Sequence, residues 1–168
     1  MKAVLSTNPR SGLGLLSIGL PIVMFIILSV AAPQFFTTTN VGNISNQITA
    51  LLIVALGQLI VALIGGIDIS VGSVVSLTSV IIVAVDPALA IPLALVAGVA
   101  VGLANGIGVV IAGVHPLIMT LATMTFVQGL ALLFQTGAGG TVPPYIGAIA
   151  SGQIAGIPTS LIWSIVAV

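Results

Sequence analysis

An all-α, polytopic transmembrane helical bundle is the architecture this sequence predicts, and three observations carry that expectation. Of 168 residues, 59% are hydrophobic and only 2% are charged. Soluble domains use about 25% charged residues to face water, and a mean hydropathy of +1.42 leaves nothing from which to build such a shell. Residues 11–67 and 116–168 contain no Asp, Glu, Lys or Arg. A helix rising about 1.5 Å per residue crosses a hydrocarbon core of about 30 Å with roughly 20 apolar residues, so the chain has room for about five full spans and a truncated sixth within a single domain.

Gly, Pro and polar clusters must mark the boundaries. Residues 1–12 form a tail holding Lys2 and Arg10, and the first span, 13–32, ends before Pro33. A cleaved signal peptide is the rival reading, since Ser29-Val30-Ala31-Ala32 supplies small residues near a cleavage point, but the apolar run exceeds an h-region of about 7 to 15 residues. The stretch 33–43, with Thr37 to Thr39, is expected as a loop. The second span, 44–64, contains twelve Ile, Leu or Val residues, each favouring insertion by about 0.3 to 0.6 kcal/mol, which tolerates Asn46, Gln47 and Gln58. Gly65-Gly66 breaks the helix, giving an interrupted region over 65–70, and the third span follows over 71–85. Asp86-Pro87 turns the chain, because a residue before proline is pushed out of helical geometry.

The fourth span, 88–111, places Gly98, Gly102 and Gly106 at four-residue intervals on one side of the helix. Such tandem G-x-x-x-G lets a neighbouring helix approach closely in lipid, so these glycines are expected to pack helices. After a turn at 113–116 the fifth span covers 117–136. Residues 137–159, rich in Gly and Pro with Pro143-Pro144 and Tyr145, are expected as an external loop with a short interfacial piece around 146–150. A sixth span begins near Ser160 and occupies 160–168, with Trp163 as an interfacial anchor. Lys2 and Arg10 place the amino terminus in the cytoplasm by the positive-inside rule.

Several function classes are excluded within this chain. One His and no Cys cannot form a Cys/His metal cluster or a disulfide, and no cofactor is expected. Two basic residues cannot neutralise a phosphate backbone, so nucleic acid is not a partner. The only lysine is Lys2, so no Walker A loop exists here and ATP hydrolysis would take place on another polypeptide. An intramembrane aspartyl protease needs two carboxylates sharing a proton, whereas Asp68 and Asp86 lie at opposite ends of the third span, about 25 Å apart at helical rise. The G-x-S-x-G nucleophile pattern does not occur. No catalytic residue is expected.

Asp68 is the side chain that most needs an explanation, because an Asp at a helix centre costs about 2.5 to 3.5 kcal/mol on insertion scales. In the sequence Gly65-Gly66-Ile67-Asp68-Ile69-Ser70-Val71-Gly72 it reads as part of a helix break, with Asp68 or Ser70 capping the third helix or Asp68 touching a solute. Asp86 in a turn is hydrated, and His115 before Pro116 reads as a cap or interfacial group with no second titratable neighbour for a proton relay. Asn46, Gln47, Gln58, Asn105, Thr120, Thr123, Thr125 and Gln128 must find hydrogen bonds from other helices or from a hydrated cavity. As a set they suit a path for a neutral, hydroxyl-rich solute.

Ala55-Leu56-Gly57-Gln58 followed by Gly65-Gly66-Ile67-Asp68-Ile69-Ser70-Val71-Gly72-Ser73 resembles the signature of ribose-type permeases of bacterial ATP-binding-cassette importers. A second block agrees: Ala104-Asn105-Gly106, then Val114-His115-Pro116-Leu117-Ile118, Thr120-Leu121-Ala122-Thr123-Met124 and Gly129-Leu130-Ala131-Leu132. The resemblance implies the amino-terminal half of an inner-membrane permease for a monosaccharide or related small polyol. It also implies partners: the lipid bilayer, a second permease subunit or a remaining carboxy-terminal half, a cytoplasmic ATP-binding subunit and a periplasmic solute-binding protein. Ile69 stands where such proteins often have Leu, the turn at Ala112-Gly113 lacks a frequent basic residue, and the chain is about half the family's usual length. A non-transporting truncated, regulatory or assembly half-subunit is the alternative expectation.

Overall fold

A computed structural model of the chain describes residues 9–135 and 139–167. Seven helices and one two-stranded hairpin occur among them, in the order α1 (Pro9–Ala31), α2 (Thr38–Leu63), α3 (Val71–Ala84), α4 (Pro87–Val110), α5 (Pro116–Phe134), α6 (Pro144–Ser151), β1 (Gln153–Ile154), β2 (Ile157–Pro158) and α7 (Thr159–Ala167). The chain divides into two compact units, Met1–Ser45 and Asn46–Val168, and α2 runs across their boundary.

In the first unit α1 begins at Pro9, so part of the expected tail is helical, while Lys2 lies outside the described residues. After α1 three phenylalanines gather edge to face, with Phe35 centred 5.3 Å from Phe25 and 5.0 Å from Phe36. The expected loop over 33–43 is shorter than the threonine run suggested. Thr37 Oγ1 accepts the Asn40 N–H at 3.3 Å and its carbonyl accepts the Val41 N–H at 2.9 Å. A threonine in that role is an N-cap, so α2 starts at Thr38 rather than near Ile44.

In the second unit α2 stops at the glycine pair. Gly65, at φ +75°, donates its N–H to Ala62 O, and Gly66 donates to Val61 O at 2.9 Å. This pair of bonds is the Schellman termination, in which the left-handed position suits glycine. The chain then runs without helix to Ser70, and α3 begins. Both following helices open on one local device: the residue before a proline turns out of helical geometry, and its side chain caps the new helix. Asp86 accepts the Ala88 N–H at 2.8 Å ahead of α4, and His115 Nδ1 accepts the Leu117 N–H at 3.3 Å ahead of α5.

α3 packs against both α4 and α5, and the apolar centre consists of Leu77 and Val80 from α3 with Val127 and Ala131 from α5. Burial is inverted relative to a water-soluble domain. Among the described residues seven polar ones are buried, namely Thr49, Ser70, Ser73, Asn105, Thr120, Thr159 and Ser160, against five hydrophobic ones. Large apolar side chains such as Leu63, Ile64, Val110 and Leu133 stand more than three-quarters exposed. Lipid accepts apolar surface at no cost but leaves a polar group unsatisfied, which produces this pattern. Helices α2, α4 and α5 are long and apolar enough to cross a membrane, while α3 is shorter. Its 14 residues reach about 21 Å, less than a hydrocarbon core.

The region expected as an external loop over 137–159 carries structure. α6 is tied down by the Tyr145 hydroxyl donating to Pro87 O, and α6 and α7 are joined by Trp163 Nε1 donating to Ile149 O at 2.9 Å. Between them β1 and β2 pair antiparallel, Ile154 opposite Ile157, around Ala155 and Gly156 at positive φ. Trp163, expected as an anchor at the membrane surface, thus holds two helices together. Thr49 of α2 donates to Ser160 O at 2.9 Å and lies 2.8 Å from Ser164 Oγ, fixing α7 on α2.

The glycines of α4 differ in what lies beside them. A Cβ at Gly98 would lie in ordinary contact with Val74, but at Gly102 and Gly106 it would meet nothing within 4 Å among the described residues. The close approach is instead at Gly108, where a Cβ would overlap the Met119 thioether. α4 turns back into α5 through only a few residues, which brings Met119 of α5 against Gly108 near the end of α4. Gly108→Ala therefore requires the Met119 thioether to shift, and because methionine is flexible and alanine favours a helix over glycine by about 0.5 to 1 kcal/mol, the net cost is expected to stay below about 1 kcal/mol. Pairing it with Met119→Ala should cost less than the sum of the single changes by about 0.5 to 3 kcal/mol. Chemical unfolding in detergent, followed by circular dichroism, measures all three variants, and additive costs would contradict the contact.

Candidate functional site

Where α2, α4 and α5 surround the start of α3, hydrogen bonds hold the interrupted segment from three sides. Its carbonyls are taken by neighbouring helices: Gln58 Nε2 of α2 donates to Asp68 O at 2.7 Å, and Thr120 Oγ1 of α5 donates to Ile67 O at 3.2 Å. The Asp68 carboxylate accepts through Oδ1, from the Ser70 N–H at 2.8 Å and the Ser70 hydroxyl at 2.6 Å. The first of these closes an Asx turn. Ser70 occupies the N-cap position of α3 without a side-chain cap bond, since its hydroxyl is given to Asp68. Ser73 Oγ donates to Ser70 O at 2.6 Å and seals the first turn.

The donors continue in one direction across the bundle. Asn105 Nδ2 of α4 donates to Ser70 Oγ at 3.0 Å, and Thr123 Oγ1 of α5 donates to Asn105 Oδ1 at 2.6 Å. From Thr123 through Asn105 and Ser70, every proton points toward Asp68. Residues 46–168 contain no Lys or Arg, so within them the partners of this carboxylate are aligned neutral dipoles, and such chains polarise one another in a low dielectric. Among the described residues no buried side-chain nitrogen or oxygen lacks a hydrogen-bond partner.

Helix length gives the depth of this cluster. Gln58 precedes the end of α2, and Asn105 the end of α4, by five residues, while Thr120 follows the start of α5 by four. At 1.5 Å per residue each lies about 6 to 8 Å inside its helix end. The break consequently enters the bundle instead of lying beyond it, which is also why α3 is short. Non-helical backbone at such depth is tolerated where protein buries it or where it lines a water-filled cavity. A cavity of about 290 Å³ adjoins it, lined among others by Gly66, Ile67, Asp68, Asn105 and Thr120, with Gly102 and Gly106 on its α4 side. A separate apolar groove of about 540 Å³ runs between α3, α4 and α5.

Of the polar residues singled out in the sequence, Gln58, Asn105, Thr120 and Thr123 are brought together with Asp68 and Ser70. The others are not. Gln47 is exposed, and the side chains of Asn46 and Gln128 make no hydrogen bond to described residues. Thr125 donates to Leu121 O of its own helix at 3.0 Å. Gly72 has open space beside it. Thr49 and Ser73 were not singled out as site residues. Both are small hydroxyl residues on apolar helices, the same signal that drew attention to Thr120 and Thr123.

These features define a class: a polytopic helical membrane protein whose third helix is interrupted within the bundle and held by uncharged hydrogen bonds. The chain belongs to the family of permease components of branched-chain amino acid transport systems, which it matches over residues 40–168. It is 35% identical to a ribose import permease protein of Haemophilus influenzae over 83% of this chain and 46% of that protein. Against a ribose import permease protein of Bacillus subtilis it is 36% identical over 68% of this chain and 37% of that one. A D-allose transport system permease protein of Escherichia coli is 32% identical over 88% of this chain and 47% of its own length. The chain thus spans less than half the length of these curated relatives. No solved structure matches it.

The Asn105–Thr123 bond lends itself to a double-substitution cycle. Asn105→Ala is expected to destabilise more than Thr123→Val, because Asn105 bonds both Ser70 and Thr123 whereas the single hydroxyl proton of Thr123 serves either Asn105 or the Met119 carbonyl. Their coupling should fall near 0.6 kcal/mol and below about 1.7 kcal/mol, as for interhelical hydrogen bonds in membranes. Unfolding in mixed micelles reads the four variants, and zero coupling would contradict the bond.

Proposed function

We propose that this chain is a transmembrane permease component of an ATP-driven importer for a small neutral solute, a monosaccharide above all, in the bacterial inner membrane. The observation that carries the reading is the break at 65–70, clamped at membrane depth by uncharged side chains in a chain of a permease family. Discontinuous helices whose ends meet within the bilayer are where transporters build solute sites and hinges. Uncharged donors and acceptors suit a hydroxyl-rich cargo, and similarity to ribose and allose permeases points to the same solute class. In this role Gln58, Asn105, Thr120 and Thr123 belong to the solute path through the hydrogen-bonded break. Asn46, Gln47 and Gln128 are candidates for path positions farther along the helices.

The remaining parts lie on other polypeptides or on further parts of a longer one: a second permease subunit or carboxy-terminal half, a cytoplasmic ATP-binding subunit and a periplasmic solute-binding protein. The amino terminus is cytoplasmic in this reading, which puts the break near the inner face and the Asp86-Pro87 turn outside. The absence of Cys makes the orientation directly measurable. With single cysteines at the exposed positions Ala88 and Ala112, a membrane-impermeant maleimide added to intact cells should label Ala88→Cys and spare Ala112→Cys. The reverse pattern overturns the orientation.

For the function itself, Asp68→Ala in cells carrying the complete transporter should lower sugar uptake at least about tenfold, a loss of about 1.4 kcal/mol. Affinity of the solute-binding protein for the sugar should not change. Uptake at the wild-type rate would overturn the role of the break. Purification of this chain without an ATPase or solute-binding partner would favour a non-transporting half-subunit.

A further inference from the structure

We infer that α3 is a strut held at both ends, and that the Tyr145 hydroxyl on Pro87 O is a latch through which α6 sets the geometry of the break, about 21 Å away at helical rise. The inference adds a control to the break and rests on the permease reading only for its effect on transport. Three observations support it. The first is where α3 is fastened. Among the described residues the hydroxyls of its body turn back on its own backbone: Ser73 donates to Ser70 O, Ser76 to Gly72 O, Thr78 to Val74 O and Ser79 to Val75 O. Against α5 the body of α3 is held by Leu77 and Val80 on Val127 and Ala131, an apolar contact with no preferred direction. The polar ties of α3 to other elements therefore lie at its ends.

The second observation is the end of α3 away from the break. After Ala84 the backbone is extended at Val85, with φ −104° and ψ 169°, so no helix continues the line of α3. Residues 139–145 close that end instead. A Cβ on Gly140, which lies at φ +112°, would come 2.8 Å from Val83 Cβ. The backbone there lies directly against the last turn of α3, and glycine suits it both in conformation and in size. Tyr145, in the first turn of α6, then donates to Pro87 O just past the turn that ends α3.

The third is that these ties form a closed ring. α6 passes to α7 through Trp163 Nε1 on Ile149 O, and α7 passes to α2 through Thr49 Oγ1 on Ser160 O. α2 returns to the break through Gln58 Nε2 on Asp68 O, and the break leads back into α3. Coupling over such a distance is carried by rigid elements joined through specific contacts, and every link of this ring lies within the compact unit Asn46–Val168. With the latch open, α3 keeps one tied end and a body free of directional bonds to its neighbours. It then shifts along α4 and α5 and draws Ser70 away from Asn105 at the break.

The test uses the complete transporter in lipid nanodiscs and reads amide hydrogen exchange at Ser70 and Val74, whose N–H groups are held by Asp68 Oδ1 and Ser70 O. Tyr145→Phe, which removes one hydroxyl, should speed exchange at both by roughly threefold to tenfold, while exchange in the middle of α2 and α5 stays unchanged. Trp163→Phe opens the same ring at another link and should give the same rise. The double variant should exceed neither single variant, because links in series are lost together. Thr125→Val, whose hydroxyl serves only its own helix, should have no effect. Exchange at Ser70 and Val74 that Tyr145→Phe leaves unaltered but Asn105→Ala raises overturns the latch and leaves the permease reading intact. A rise spread over all helices, or a double variant whose effect is the product of the two singles, shows Tyr145 and Trp163 to act as ordinary packing and also overturns it. A selective rise in a complex that takes up neither D-ribose nor D-allose supports the latch and counts against the permease reading.

Discussion

A carboxylate without a cation in an apolar bundle must be stabilised by something, and here that is a relay of neutral hydrogen bonds. Thr123 gives its proton to Asn105, Asn105 to Ser70, and Ser70 to Asp68, linking α5, α4 and the start of α3. The relay does two jobs. It spreads the negative charge over oriented dipoles, and it fixes three helices around the non-helical backbone that precedes α3. Gln58 and Thr120 complete the arrangement by occupying carbonyls that a helix would otherwise have bonded internally. Removal of any member leaves a polar group of the cluster without its partner.

The rest of the architecture follows from the same solvent rule. In water the apolar side chains would have collapsed into a large core, but among the described residues only Leu77, Val80, Val127 and Ala131 form a buried cluster, and most Leu, Ile and Val side chains are not buried. Burial is spent on Ser, Thr and Asn. The hydroxyls that face no partner helix return to carbonyls of their own helix, as Thr78 and Thr125 do, while Thr49 and Ser164 fasten α7 to α2. α3 is permitted to be short because its missing turns are replaced by the clamped segment at 65–70, whose exposed backbone has both side-chain partners and a cavity beside it.

Local signals were legible where a single physical rule applied. Gly65-Gly66 ends α2 because the left-handed position and the close return to Val61 suit glycine. Asp86 and His115 each precede a proline and cap the helix it starts. Signals were misread where two rules competed. Thr37 to Thr39 looked like a polar loop, yet a threonine is also an N-cap, and the available partner at Asn40 decided for the helix. For Gly98, Gly102 and Gly106 two rules also apply, since absence of a side chain serves equally to admit a helix or to leave a space, and among the described residues no atom lies closer than 4.0 Å to a Cβ placed there. The glycine that does admit a close neighbour, Gly108, has no repeat to announce it, because its constraint comes from Met119 on a different helix.

Membrane residence and helical content were decided by composition, a sum over residues that no arrangement of the chain can alter: with 2% charge there is no folded form that water would accept. The places where helices stop were decided almost as locally, by glycine conformation and proline sterics within a few residues. Which polar side chains meet was another matter. Ser70 and Asn105 are 35 positions apart and Ile67 and Thr120 are 53 apart, so their pairing depends on how three helices pack around α3. Asn46, Gln47 and Gln128 carry the same chemistry as Gln58 and Asn105 and were not drawn into that cluster. A hydrogen bond needs its partner within about 3 Å and in line, and that condition belongs to the packed bundle rather than to the residue type.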